Sequence, residues 1–265
     1  ARNLTPTTLE LGGKCPVIIG RRADVVACAK RVVHGKILNS GQTCLAPDYV
    51  FVEESVRDAF VEAFERTIAD MFPHGVLGSG DYASIISEAH GDRLWALVAE
   101  AKSAGCRVVE CRGGAADDAN ADAARRVAPT LILDAGDALR VSSEEIFGPL
   151  VQVTTVGSLD DAIEEAGRTR YGLAASVFTR DRAVFDTCFD RLSAGCLNWN
   201  VGTAGASSRL PFGGVGQSGN HRPAAALAID SCAYPVASLL QETPHIGIPE
   251  GMTWRDDWIE SGNKS

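Results

Sequence analysis

Residues 15–52 read CPVIIGRRADVVACAKRVVHGKILNSGQTCLAPDYVFV, and their order decides the fold class. CPVIIG (15–20) is a short apolar run closed by glycine, the pattern of a buried strand. From 24 to 38 the residues Val25, Val26, Ala29, Val32, Val33 and Ile37 recur at helical spacing. DYVFV (48–52) returns to β-formers. The joint between helix and second strand, NSGQTCLAP (39–47), sets Cys44 among small polar residues.

The same alternation runs outward. Helices are predicted over 55–71, with a Phe60/Phe64 face, and over 93–104, closed by Gly105. Strands are predicted at 106–111, 128–134, 150–156, 174–179 and 195–201, and helices at 159–167 and 182–192. Ser158 followed by Asp161 forms a capping box for the first of these helices. Residues 112–127 are polar and read as a surface loop or an edge insertion. Beyond Ser207 come a glycine-rich loop, a helix near 223–229, a strand-like CAYPVASLL (232–240) and a loosely ordered tail after Gln241. Strands alternating with helices predict an α/β fold with a largely parallel sheet flanked by helices.

The chain has 265 residues, 45% of them hydrophobic, enough to bury a core. Its net charge of −9, with no basic cluster, argues against nucleic-acid or anionic-membrane partners. No apolar run approaches the roughly 18 residues of a membrane span, and the first residues carry no signal pattern. The eight cysteines are scattered, without a CxxC pair, and the five histidines do not cluster. No metal site, no disulfide framework and a cytoplasmic location are therefore expected.

Four stretches stand out chemically. A cysteine nucleophile needs thiolate, exposure and a nearby base. The glycine-containing flank of Cys44 suits this, with backbone N–H groups available to an oxyanion; the plain alternative is a buried thiol. Glu10, in LELGGK, is either a general base beside a sharp turn or a surface glutamate. In SSEEIFGPL (142–150), Glu145 and Phe147 offer an acceptor and a flat apolar face, or else a cap and a core ring. GVGQSG (214–219) satisfies G-x-G-x-x-G, but no strand leads into it and a proline soon follows. It is read as a tight loop under a neighbouring site, not as a dinucleotide fingerprint.

LELGGK, NSGQTC, EEIFGP (144–149) and LPFGGVGQSG (210–219), in that order and with Cys44 placed 34 residues after Glu10, resemble the aldehyde dehydrogenase superfamily. The resemblance spans nearly the whole chain and corresponds to the C-terminal half of a family subunit. It implies NAD or NADP as cofactor and an aldehyde as substrate. Cys44 would attack the carbonyl, passing through a thiohemiacetal and a thioester, and Glu10 would activate the hydrolytic water. Gly12, Glu145 and Phe147 would contact the cofactor. The strand at 232–240 resembles an arm that pairs subunits in homo-oligomers, dimers or tetramers. The resemblance divides the chain into 1–13, the end of a cofactor-binding domain; 14–213, catalytic; 214–245, loop, helix and oligomerisation strand; and 246–265, a tail. The remaining N-terminal cofactor-binding half is expected to be missing.

The tail resembles succinylglutamate semialdehyde dehydrogenases, and the middle resembles the coniferyl aldehyde branch. On the first likeness Arg209 or Arg222 would meet a substrate carboxylate, and Trp199 would line an aldehyde tunnel; surface and core roles are the alternatives. Two other functions stay open: a cofactor-free thioesterase or esterase, and a non-catalytic assembly module.

Overall fold

Val17, Ile18 and Ile19 offer nothing polar to water, and β1 (Cys15–Ile19) is buried at every position. It belongs in the middle of a sheet, and that is where the computed structural model sets it. The structure describes residues 3–114, 125–220, 222–242 and 250–253. The other elements are α1 (Val25–Ile37), β2 (Pro47–Glu53), α2 (Glu54–Met71), α3 (Glu88–Ser103), β3 (Arg107–Glu110), β4 (Thr130–Leu133), α4 (Arg140–Ser143), β5 (Leu150–Val156), α5 (Leu159–Gly167), β6 (Ala174–Phe178), α6 (Arg182–Arg191), β7 (Cys196–Trp199), β8 (Pro211–Phe212), β9 (Ala224–Ala225) and α7 (Ala228–Cys232).

The main sheet has seven strands in the order β3-β4-β5-β2-β1-β6-β7. All neighbours are parallel except the edge pair β3–β4. Alternate residues bury on opposite faces, as the pleat demands. Val17, Ile19, Val50 and Val52 pack under Ala29, Val33, Phe60 and Phe64 of α1 and α2. Ile18, Phe51 and Val177 face Ala162, Ile163 and Cys188 of α5 and α6. The expected α/β architecture is therefore present.

Several boundaries differ from expectation. α3 starts at Glu88, a turn before the predicted 93, because the Ser87 hydroxyl accepts the His90 N–H. The one-turn α4, Arg140–Ser143, runs into the start of the stretch 142–150. In place of a helix at 223–229, β8 and β9 form a small antiparallel pair, with α7 after it. Residues 233–240 pair with no strand among the described residues of this single chain, and the pairing expected of them lies between subunits. Chain contacts divide the molecule into 1–232 and 233–265. In the second unit Tyr234, Val236, Leu239 and Leu240 are exposed. Residues 115–124 of the predicted loop, most of the 246–265 tail, and His221 and His245 lie outside the described residues. No helix among the described residues is long and apolar enough to cross a membrane.

The Ser158 cap gives a direct check on the sequence reading. Its hydroxyl accepts the Asp161 N–H at 3.1 Å and opens α5. Ser158→Ala is expected to lower stability by about 1 kcal/mol, read as a drop in the urea midpoint at constant m-value.

Candidate active site

Parallel strands bring their amino ends to one edge of the sheet. There Cys15, Leu173 and Ala174 are buried, with Cys44, Leu45, Cys196 and Phe212 packed against them. The chain reaches Cys44 from α1 through a 3₁₀ turn, Leu38–Gly41, in which Asn39, Ser40 and Gly41 all have positive φ. Gly41 is needed there: a Cβ would lie 2.2 Å from the Gly148 carbonyl oxygen. The 39–44 turn is thereby seated against the 144–149 turn. Gln42 ties it further: its Oε1 accepts the Ile86 N–H at 2.8 Å, and its Nε2 donates to the Ser84 carbonyl at 3.2 Å.

The Cys44 thiol is half-buried. Burial pushes its pKa up, and the negative charges of Glu10 and then Glu145 add to this; the neighbouring N–H groups of Cys44 and Leu45 oppose the rise. Its carbonyl accepts the Cys15 Sγ–H at 3.4 Å. Backbone N–H groups beside the sulfur can donate to the oxygen of a carbonyl that it attacks.

Glu10 is exposed and lies on an extended segment held by the far end of the chain. Glu10 bridges Gly219, the Leu11 N–H donates to the Ser218 carbonyl at 3.1 Å, and the Leu9 N–H donates to Asn220 Oδ1 at 2.8 Å. Gly219 has φ +146°, and a Cβ there would come within 2.4 Å of the Leu9 oxygen. The GVGQSG glycines thus build a tight loop under the Glu10 segment, as read from the sequence.

Glu145 is half-buried, and its Oε1 accepts the Gly13 N–H at 2.9 Å. Burial raises its pKa, with the charge of Asp48 adding to the rise and the Gly13 hydrogen bond opposing it. Gly12 makes room for that carboxylate: a Cβ would sit 1.9 Å from Oε2. Phe147 has φ +47° and is 37% exposed. Cys44, Glu10, Gly12, Glu145 and Phe147 are therefore tied to one region.

The substrate candidates sit differently. Cys196 begins β7 beside Ala174, so Trp199 ends that strand away from Cys44. Its indole N–H donates to the Thr179 carbonyl at 3.0 Å, and its ring stacks on Phe185 at 5.4 Å beneath Arg182. Arg209 is exposed and is joined to its surroundings by its backbone N–H, which donates to Ser207. Arg222 donates to the Gly195 carbonyl at 3.3 Å, at the amino end of β7 and thus at the Cys44 edge.

Sequence reading missed Lys14, Lys36, Asp48 and Arg93. Arg93 donates to the Glu145 carbonyl at 3.3 Å and to that of Ile146. Lys36 had left a trace: it follows Ala29, Val32 and Val33 on the apolar face of α1.

The sequence model of the aldehyde dehydrogenase family matches residues 1–235. The chain is 40% identical over 220 residues to a probable coniferyl aldehyde dehydrogenase of Caulobacter vibrioides, covering 83% of this chain and 45% of that protein. A coniferyl aldehyde dehydrogenase from a Pseudomonas species is 41% identical with the same coverage. The crystal structure of NADP-dependent glyceraldehyde-3-phosphate dehydrogenase from Bacillus halodurans, complexed with NADP, superposes with a TM-score of 0.73 at 31% identity, over 82% of this chain and 44% of that one. The chain spans about half the length of the curated relatives it matches.

Proposed function

The chain belongs to the aldehyde dehydrogenase family, and from that premise we propose that it carries the cysteine chemistry of NAD(P)-dependent aldehyde oxidation. Cys44, as thiolate, attacks the aldehyde carbon and forms a thiohemiacetal. The N–H groups of Cys44 and Leu45 steady the developing oxyanion. Collapse of that adduct expels hydride and leaves a thioester on Cys44. Glu10 takes a proton from water as the water attacks the thioester, releasing carboxylate and thiol. The observation that carries this reading is geometric: a Cβ at Gly13 would lie 2.8 Å from the Cys44 carbonyl oxygen and the Gly13 N–H donates to Glu145 Oε1 at 2.9 Å, so the segment that bears Glu10, the Cys44 loop and the Glu145 turn meet.

The residues also fit a dinucleotide. Glu145 keeps Oε2 free of partners among the described residues while Gly13 holds Oε1, which suits a sugar hydroxyl. Phe147 offers an exposed flat ring. A bound oxidised dinucleotide would supply the acceptor for the hydride that the adduct releases.

Two relatives named for coniferyl aldehyde support an aromatic aldehyde as substrate. The whole protein should be given coniferaldehyde, succinylglutamate semialdehyde and simple aldehydes, and NADH and NADPH formation followed at 340 nm. Coniferaldehyde is expected to be oxidised. If no aldehyde supports reduction of either dinucleotide, the proposal fails.

A further inference from the structure

Lys14, Lys36 and Asp48 form a buried charge cluster that the proposed chemistry does not use. Their exposures are 2%, 0% and 1%. Lys36 Nζ lies 3.1 Å from Asp48 Oδ1, and Lys14 Nζ lies 3.7 Å from Oδ2. Lys14 also sits 5.1 Å from the Tyr49 ring centre. Burial lowers the pKa of both lysines, and the charge of Asp48 opposes the fall.

Such clusters are a poor way to gain stability, because desolvating the ions offsets their attraction and apolar residues of equal volume often serve as well. What apolar side chains cannot do is hold backbone polar groups. Lys14 Nζ donates to the carbonyls of Val141 at 2.8 Å and Glu144 at 2.9 Å. Asp48 Oδ2 accepts the Ile146 N–H at 2.8 Å. The two contacts clamp the backbone on either side of Glu145. Lys36 occupies Oδ1 and so leaves Oδ2 turned to Ile146. Just beyond the clamp stands Phe147, whose positive φ is uncommon for an aromatic residue and persists only where its surroundings hold it.

We propose that Lys14, Lys36 and Asp48 are positioning residues, which fix the 144–146 backbone and thereby aim Glu145 and Phe147 at the dinucleotide. This rests on the function proposed above. It explains why charged groups were kept where apolar ones would pack: the turn must present one carboxylate and one ring in a fixed relation.

Amide exchange on the full chain tests it, together with the ¹⁹F signal of fluorophenylalanine at 147, assigned with Phe147→Leu. In the native protein the Ile146 amide is expected to exchange as slowly as those of Val50 and Val153 in the sheet. Lys14→Met and Asp48→Asn are expected to speed exchange at Ile146 and Gly13 by about ten- to a hundred-fold, as loss of a charged hydrogen bond implies. The Val50 and Val153 amides should keep their rates within about two-fold, and the Phe147 signal should broaden. An equal rise across the sheet, or none at Ile146, overturns the proposal. If neither variant folds, the native rate decides: exchange at Ile146 as fast as in an exposed loop overturns it, and sheet-like protection supports it. Aldehyde-dependent formation of NADH or NADPH by the native protein is read separately. No reduction of either dinucleotide with any aldehyde counts against the proposed function and leaves the exchange result standing.

Discussion

Replacing Cys44 with alanine is expected to lower kcat/KM for aldehyde oxidation by about 10⁴-fold or more, because covalent catalysis loses its only attacking atom. Cys15, Cys28, Cys111 and Cys188 are buried and offer no substitute. Cys196 packs in the same cluster as Cys44, and burial raises both thiols, so Cys196→Ala is the control and is expected to keep the native rate. The measurement is steady-state NAD(P)H formation by the whole protein, with urea unfolding as a check that the variant is folded. A folded variant retaining about a hundredth of the native rate or more would place the nucleophile elsewhere.

Glu10→Gln is expected to split two rates that are normally read together. Hydrolysis of the thioester should fall by about 10²- to 10⁴-fold, the usual share of a general base. Alkylation of Cys44 should go the other way. The Glu10 carboxylate raises the Cys44 thiol, so removing its charge lowers that pKa, increases the thiolate fraction at neutral pH and speeds reaction with iodoacetamide. The native rate-against-pH curve should be displaced to higher pH than that of an ordinary cysteine, and the variant's should move back down in pH. Rapid mixing with aldehyde should then show a burst of NAD(P)H before a slow steady state. A parallel loss of both rates would mean that Glu10 shapes the Cys44 loop rather than activating water.

Much of this was legible because it depended on local pattern. β1, α1 and β2 followed from hydrophobic period alone, and the capping box at Ser158 marked α5 to the residue. The missed first turn of α3 is polar, and its one signal was Ser87 as a cap. CAYPVASLL reads as a strand because Tyr, Val and Leu favour one, yet strand structure needs a partner that composition does not supply. In the site, Cys44, Glu10, Glu145 and Phe147 each lay in a distinctive glycine-bearing motif. Lys14, Lys36 and Asp48 did not, since charged residues normally belong at the surface. Only the fold brings the start of β1, the end of α1 and the start of β2 together under one turn. Trp199 shows the reverse: an aromatic residue near a motif in sequence can stand at the other end of a strand.

The grip of Ser218, Gly219 and Asn220 on the Glu10 segment has a consequence for how the molecule is made. The Leu9–Asn220 hydrogen bond joins residues 211 apart, so at ribosomal speeds the segment waits roughly 10 to 40 s for its anchor to be synthesised. A nascent chain that stops short of residue 218 lacks the backbone partners of Leu9, Glu10 and Leu11, so this early segment is among the last of the described residues to be anchored.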